Sequence, residues 1–170
     1  MDERKLSEEI ITDLIKKFLI NKINGNWHED KIKEAKLHNH GADLILVGGK
    51  RSSECFTIEC KGKSYTKSAA AINKESWLNA LGQLITRMNT QRIITSGKNK
   101  GAINRAYKYG LGLYWVGAKV ALRRIPKNIA QILNLYVFSV NEEGFVKQWT
   151  PSQFGESYKD DEFEEKTEMQ

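Results

Sequence analysis

The sequence lacks the features that mark membrane, secreted and repeat proteins. Its 170 residues contain no uninterrupted apolar run of about 18 residues, the length that a transmembrane helix needs. They also contain no internal repeat. The N-terminal sequence MDERKLSEEII is charged from its second residue, unlike a secretory signal. We therefore expect a cytoplasmic protein with no membrane partner.

Cysteine is also scarce, with only Cys55 and Cys60. If both lie on one strand, their odd separation directs them to opposite faces, which makes a mutual disulfide geometrically poor. Reduced thiols in a reducing compartment are the expectation. The chain has no CxxC motif, and His28, His38 and His40 have no evident partner cluster. A zinc site is therefore not expected.

The positive charge of the chain is unevenly distributed. Residues 156–170 hold seven acidic residues and two lysines, a net charge of −5. Because the whole chain carries +6, the remainder carries +11. Such a basic domain suggests an anionic partner, nucleic acid first, although a lysine-rich soluble surface is the alternative interpretation. We expect one domain over residues 1–154 and an acidic, flexible tail over residues 155–170.

Hydrophobic periodicity predicts the first half of the fold. Residues 5–22 have helical spacing of apolar residues, with Ser7 as the N-cap. Residues 27–38 suggest an irregular strand. Apolar residues 44–47 and the stretch ECFTIECK at 54–61 predict two strands joined by a glycine-containing loop, which makes a hairpin.

The second half alternates helix and strand. We predict a helix in the latter part of 64–90, a strand at 91–96, and a basic loop with a short helix at 97–110. A buried strand at 111–122 and a hairpin at 135–149, turning at 141–144, follow. The expected buried stripe of the first of these helices comprises Trp77, Leu78, Leu81, Leu84, Ile85 and Met88. The order predicts an α/β fold with a central mixed sheet flanked by helices and a C-terminal β-hairpin.

Three charged residues of the first hairpin carry the strongest chemical signal. Glu59 and Lys61 project from one side of their strand, because they are two residues apart. Antiparallel pairing brings Asp43, at the head of the preceding strand, towards Glu59. Two converging carboxylates favour a bound cation, and Mg²⁺ takes carboxylate, water and phosphate oxygens. A lysine beside them can orient the attacking water or stabilise phosphate charge.

The sequences GAD, with Asp43, and ECK, with Glu59 and Lys61, resemble the PD-(D/E)XK nuclease superfamily, the restriction-endonuclease-like fold. Ala42 stands where many members have proline. The resemblance covers roughly residues 5–120 in architecture but only about twenty in specific motif. It implies an α-β-β-β-α-β core and DNA cleavage with Mg²⁺, for which Mn²⁺ substitutes, leaving 5′-phosphate ends. It also implies metal ligation by Asp43, Glu59 and the backbone carbonyl of Cys60, with Lys61 as the third catalytic residue.

Further positions match the family less completely. Many members add a glutamate from the first helix to the metal site, which points to Glu9 ahead of Glu8. A first-turn acid favoured by the helix dipole is the alternative. Some families have a QxxxY element on the helix after the motif. Here Gln83 is present and Arg87 replaces the tyrosine, so contact with phosphate and ordinary solvation both remain open for these two residues.

Basic residues near strand ends are candidate phosphate contacts. Lys63 and Lys67 follow the motif, and Lys98, Lys100 and Arg105 follow the next predicted strand. Loops at strand ends are where α/β folds bind ligands. Solvent exposure without a ligand is the alternative for each of them.

The resemblance therefore implies a Mg²⁺-dependent deoxyribonuclease. The compact size favours a structure-directed enzyme such as a Holliday-junction resolvase, acting as a homodimer, or an accessory nuclease of restriction or repair. The alternative is a non-catalytic nucleic-acid-binding or assembly subunit that retains the nuclease fold.

Overall fold

The computed structural model describes residues 6–21, 27–29, 42–48, 54–88 and 107–164. These residues form one six-stranded mixed sheet with helices on both faces, which confirms the predicted α/β class. The helices are α1 (Glu8–Asn21), α2 (Ala69–Thr86), α3 (Trp115–Arg124) and α4 (Lys127–Leu133). The strands are β1 (His28–Glu29), β2 (Leu44–Gly48), β3 (Glu54–Lys61), β4 (Tyr107–Tyr114), β5 (Leu135–Val140) and β6 (Val146–Trp149).

The strands lie in the sheet in their order along the chain. Strands β1, β2 and β3 are antiparallel neighbours, whereas β3, β4 and β5 run parallel and β6 returns antiparallel to β5. Both predicted hairpins, β2–β3 and β5–β6, are confirmed. Because β3, β4 and β5 are parallel, their carboxyl ends lie at one edge of the sheet, where the Glu59–Lys61 motif ends.

Helix α1 covers one face of the sheet. Its buried residues Ile11, Ile15 and Leu19 have the predicted helical spacing and pack on the apolar side of β3, including Phe56. The Ser7 hydroxyl accepts a hydrogen bond from the Ile10 N–H at 3.3 Å, which confirms its predicted role as the N-cap. Packing and capping together fix where α1 begins, beside the end of β3.

The prediction of a buried strand at 111–122 was wrong. Strand β4 starts earlier, at Tyr107, and ends at Tyr114, and residues Trp115–Arg124 form α3. Tyr107–Gly110, assigned to a loop and a short helix, therefore belong to β4. The buried positions Gly117, Ala118 and Ala121 are compatible with close helix packing, and an apolar run alone does not distinguish a strand from a buried helix.

The buried face of α2 also differs from its prediction. Leu78 and Ile85 are 53% and 52% exposed. Leu84 is buried as predicted, and Trp77, Leu81 and Met88 are partly buried against the core, but the other fully buried residues are Asn73, Ser76 and Ala80. The cause is the close approach of α3, since a Cβ on Gly117 would lie 2.4 Å from the Ser76 hydroxyl oxygen. Small and polar residues fit this contact, and the larger apolar residues are turned away from it.

The acidic C-terminal segment is packed on the domain as far as the structure describes it. Phe163 is 2% exposed and lies 4.9 Å from Trp149 between ring centroids, and Tyr158 lies 4.6 Å from the same ring. Lys147 donates a hydrogen bond to the Glu162 carbonyl. The expectation of a flexible tail from residue 155 therefore does not describe residues 156–164, because their aromatic side chains complete the core beside Trp149.

Several predicted elements lie outside the described residues. They are the strand at 91–96, the basic loop at 97–106 and the continuation of the first strand beyond Glu29. Within the described ranges, no helix is long and apolar enough to span a membrane.

Candidate active site

The register of the first hairpin sets Asp43 opposite Glu59. Leu44 pairs with Ile58 in the β2–β3 ladder, so the next positions outward are Asp43 and Glu59. The hairpin register therefore sets the backbone positions of Asp43 and Glu59 beside one another, just beyond the β2–β3 ladder.

Asp43 is held in place by the backbone of the motif. Its Oδ2 accepts a hydrogen bond of 2.7 Å from the Cys60 N–H. Burial raises the pKa of Asp43 above its ordinary value, and the nearby Glu8 carboxylate acts in the same direction. The Cys60 hydrogen bond and the charges of Lys61 and Arg87 oppose this rise without cancelling it. Asp43 is thus a partly desolvated carboxylate that lies near the charges of Glu8, Lys61 and Arg87.

Glu59 is almost fully buried, with 1% of its side chain exposed, and two cations neutralise it. Lys61 Nζ lies 3.5 Å from Glu59 Oε1. Arg87, at the carboxyl end of α2, forms an ion pair with Glu59 Oε2. A buried carboxylate requires such compensation. The residue predicted to contact phosphate, Arg87, therefore lies against a predicted metal ligand.

Lys61 connects Glu59 to the start of α1. Its Nζ donates to Glu8 Oε2 at 3.0 Å while lying beside Glu59. The approach of α1 depends on Gly62, because a Cβ at that position would lie 2.6 Å from the Glu8 backbone nitrogen and 2.9 Å from the Ser7 carbonyl carbon. Glu8, rather than Glu9, is thus the first-helix acid that contacts the motif.

The backbone after the motif is fixed from both sides of the sheet. Lys63 N–H donates to the Leu6 carbonyl at 2.8 Å, and Leu6 N–H donates to the Tyr65 hydroxyl at 2.7 Å. On the α2 side, buried Asn73 accepts from the Ser64 N–H at 2.7 Å and donates to its carbonyl at 3.2 Å. These contacts attach α1 and α2 to the segment that carries Lys61.

The side chain of Lys63 is engaged with the turn of the second hairpin. Its Nζ donates to both carboxylate oxygens of Glu142, at 2.9 and 2.7 Å, and Tyr114 donates to the same carboxylate. Burial acts to lower the pKa of Lys63, but the hydrogen bond to Glu142 and the nearby Glu142, Tyr114 and Tyr65 groups together outweigh it and raise the pKa. Burial and the bond to Glu142 raise the pKa of Tyr114 to about 12. The Lys63 ammonium, which was predicted to bind phosphate, is therefore already paired with the Glu142 carboxylate.

The structure describes only some of the remaining predicted nucleic-acid contacts. Lys67 and Gln83 are exposed. Lys98, Lys100 and Arg105 lie outside the described residues. Arg87 is therefore the described basic candidate, apart from Lys61 itself, that directly contacts a motif side chain.

An open cavity of about 310 Å³ lies beside Asp43, between α1 and the first strands. It is lined by Glu8, Glu9, Thr12, Asp13, Lys16, Glu29, Asp43 and Leu44. Lys16 forms an ion pair with Glu29 across it. Five carboxylates and one ammonium make this lining favourable for a cation and unfavourable for a phosphate. The predicted ligand Glu9 lies on this cavity rather than against Glu59.

The oxygen atoms near the motif are of the type that hard divalent cations bind. Asp43 and Glu59 offer carboxylate oxygens, as Mg²⁺ prefers, and the Cys60 carbonyl is the expected third oxygen. Burial raises the pKa of the Cys60 thiol to about 12, so the sulfur is not a thiolate ligand. The described residues contain no group of three or more histidine, cysteine or acidic side chains arranged to hold a metal. Ligation by Glu59 requires an exchange of its present ion pairs.

Sequence reasoning missed residues of other elements that hold the segment after the motif in place. Glu142 and Asn73 lie 79 and 9 residues from their respective partners, Lys63 and Ser64. The close contact at Gly62 could have been predicted, since a glycine directly after a strand motif is typical of close backbone approach.

Comparison with protein-family models, curated proteins and solved structures finds no match for this chain.

Proposed function

We propose that the chain is a metal-dependent nuclease that hydrolyses DNA phosphodiester bonds. The observation that carries the proposal is the register that opposes Asp43 and Glu59, with Lys61 beside Glu59 on the same strand. Two carboxylates and a lysine near the end of one hairpin would supply the ligands and the cation that phosphodiester hydrolysis requires.

The order of the described elements supports the restriction-endonuclease-like arrangement. Helix α1, strands β1 to β3, helix α2 and strand β4 follow one another as in the α-β-β-β-α-β core that the sequence resemblance implies. The motif lies on the second and third strands, β2 and β3. The hairpin β5–β6 and helices α3 and α4 are additions to that core.

Asp43, Glu59 and the Cys60 carbonyl would hold Mg²⁺ or Mn²⁺, with Glu8 as the nearby first-helix acid. The cation supplies Lewis-acid activation of the scissile phosphate and of water. The hydrogen bond from Cys60 N–H orients the Asp43 carboxylate. Lys61 presents its ammonium 3.5 Å from Glu59, where it can orient the attacking water or stabilise charge on the phosphate.

The anionic substrate is proposed from the net charge of +6 and from the resemblance. We propose a structure-directed or accessory nuclease, with a four-way junction as a candidate substrate. A homodimer would place one active site on each of two strands.

One observation favours a non-catalytic nucleic-acid-binding or assembly role. Arg87 and Lys61 already neutralise Glu59, and so the charge of Glu59 is compensated without a metal. In a protein without nuclease activity, these ion pairs would stabilise the buried Glu59 carboxylate in place of a metal. The retention of all three motif residues in one place favours the nuclease over this alternative.

A cleavage assay with the wild-type chain tests the proposal. Supercoiled plasmid, linear duplex, single strand and four-way junction are each incubated with Mg²⁺ and with EDTA. Lys61→Ala is compared with Lys74→Ala, which removes an exposed lysine of α2 outside the motif. We expect Mg²⁺-dependent cutting of at least one substrate, lost in Lys61→Ala and retained in Lys74→Ala. Binding without cutting on every substrate would favour the non-catalytic role.

A further inference from the structure

Arg87, which stands at the tyrosine position of the QxxxY element, contacts Glu59, and the sequence did not predict this contact. It is the C-cap residue of α2, where a positive charge is favoured by the helix dipole. Its guanidinium forms an ion pair with Glu59, whose side chain is 1% exposed, and its own side chain is 19% exposed. The pair therefore lies at the inner end of the site, between the end of α2 and β3.

The ion pair uses the atoms that a metal would need. Lys61 lies beside Glu59 Oε1 and Arg87 beside Oε2. A divalent cation reaches Glu59 only if one of these cations moves. Lys61 is on the same strand as Glu59 and is also bound to Glu8 at 3.0 Å. Arg87 follows the last residue of its helix, so its side chain can swing towards solvent without disturbing a strand.

The charges of the site point to the same exchange. Three carboxylates, Glu8, Asp43 and Glu59, face two cations, Lys61 and Arg87. One negative charge is left uncompensated. Replacement of Arg87 by a divalent cation makes the group neutral, whereas addition of the metal with Arg87 in place leaves an excess of positive charge. Like charges at this separation repel, which disfavours simultaneous occupancy.

We propose that Arg87 is an internal counter-ion of Glu59 that the divalent cation displaces, which releases the guanidinium towards the substrate phosphate. This inference rests on the proposed function and adds a regulatory step to the same site. Arg87 acts through Glu59 and is a positioning residue in the resting protein. After displacement, its planar donor group suits a phosphate.

Calorimetric titration with Mn²⁺, without nucleic acid, tests the displacement. The variant Arg87→Met removes the charge and keeps most of the side-chain length, and Lys74→Met removes an exposed charge of the same helix as a matched control. We expect Arg87→Met to bind Mn²⁺ at least about fivefold more tightly than the wild type. Lys74→Met should bind as the wild type does.

Thermal unfolding gives a second readout that does not depend on catalysis. Without metal, Arg87→Met should melt below the wild type, because Glu59 loses a buried partner. Saturating Mn²⁺ should raise its melting temperature more than that of the wild type. If Arg87→Met does not fold, Arg87→Lys keeps Glu59 compensated with a weaker partner, and its Mn²⁺ affinity should still exceed that of the wild type.

The outcomes separate this inference from the proposed function. Equal or weaker Mn²⁺ binding by a folded Arg87 variant, with clear binding by the wild type, overturns the displacement and leaves the nuclease proposal standing. Binding by the variant alone also supports the displacement. Absence of Mn²⁺ binding in all variants overturns the displacement, whereas the cleavage assay decides the nuclease proposal, because substrate phosphate supplies further oxygen ligands.

Discussion

The Asp43 carboxylate accepts a hydrogen bond of 2.7 Å from the backbone N–H of Cys60, the residue between Glu59 and Lys61. A side chain at the head of β2 is thus attached to the motif at the end of β3. The bond fixes the carboxylate in a place where burial and Glu8 raise its pKa. Raised carboxylate pKa values are typical of functional sites, where stability is given up for chemistry.

Asp43→Asn should make the protein more stable at neutral pH. The folded state raises the pKa of Asp43, so the protonated carboxyl stabilises the fold at low pH and this contribution is lost as pH rises through the raised pKa. Asparagine keeps an acceptor for Cys60 N–H and carries no charge. Denaturant unfolding should show the gain at pH 7 and its disappearance as the pH approaches 3.8, the ordinary value. An equal gain at all pH values would contradict this origin.

Gly62→Ala should separate the start of α1 from the motif. The new Cβ would meet backbone atoms of Ser7 and Glu8, which cannot move aside without shifting the helix. We expect a loss of about 1–3 kcal/mol in the free energy of unfolding. The control Gly82→Ala has no atom within 4 Å of its new Cβ and lies inside α2, so it should gain about 0.5–1 kcal/mol. Similar effects of the two variants would exclude the close contact.

Glu142→Gln should increase DNA binding by releasing Lys63. The carboxylate now accepts both hydrogen bonds of the Lys63 ammonium. The freed ammonium should bind one more phosphate, which makes the slope of log affinity against log salt steeper by about 0.9. Glu143→Gln changes the net charge equally at the adjacent exposed residue and is the matched control. Fluorescence anisotropy over a salt series measures both, and identical slopes would remove Lys63 from the interface.

Phe163→Ala should destabilise the whole domain. The ring is 2% exposed and lies among Trp115, Trp149 and Tyr158. Loss of a buried aromatic ring costs about 3–5 kcal/mol. Glu164→Ala, at an exposed neighbouring position, should leave the unfolding transition unchanged. A neutral result for Phe163→Ala would restore the view of the whole C-terminal segment as a mobile tail.

Local sequence patterns were sufficient for α1, for both hairpins and for the register that sets position 43 opposite position 59, because each depends on short-range periodicity and strand register. They failed for α3, since the apolar run from Leu111 to Leu122 is compatible with either a buried strand or a buried helix. They also failed for the orientation of α2, which depends on the close approach of Gly117 to Ser76. The pairing of Arg87 with Glu59 and of Lys63 with Glu142 joins distant segments, and no local pattern encodes it.

The initial rate of Mg²⁺-dependent DNA cleavage by wild type and Asp43→Asn tests the central claim most directly. Asp43→Asn is expected to be folded and at least as stable at neutral pH, so a loss of cutting cannot be attributed to unfolding. We predict Mg²⁺-dependent cutting by the wild type. The rate of Asp43→Asn should be lower by a factor of at least about a hundred. Equal rates for the two proteins, or no cutting by the wild type on any substrate, would contradict the assignment of this site as a nuclease centre.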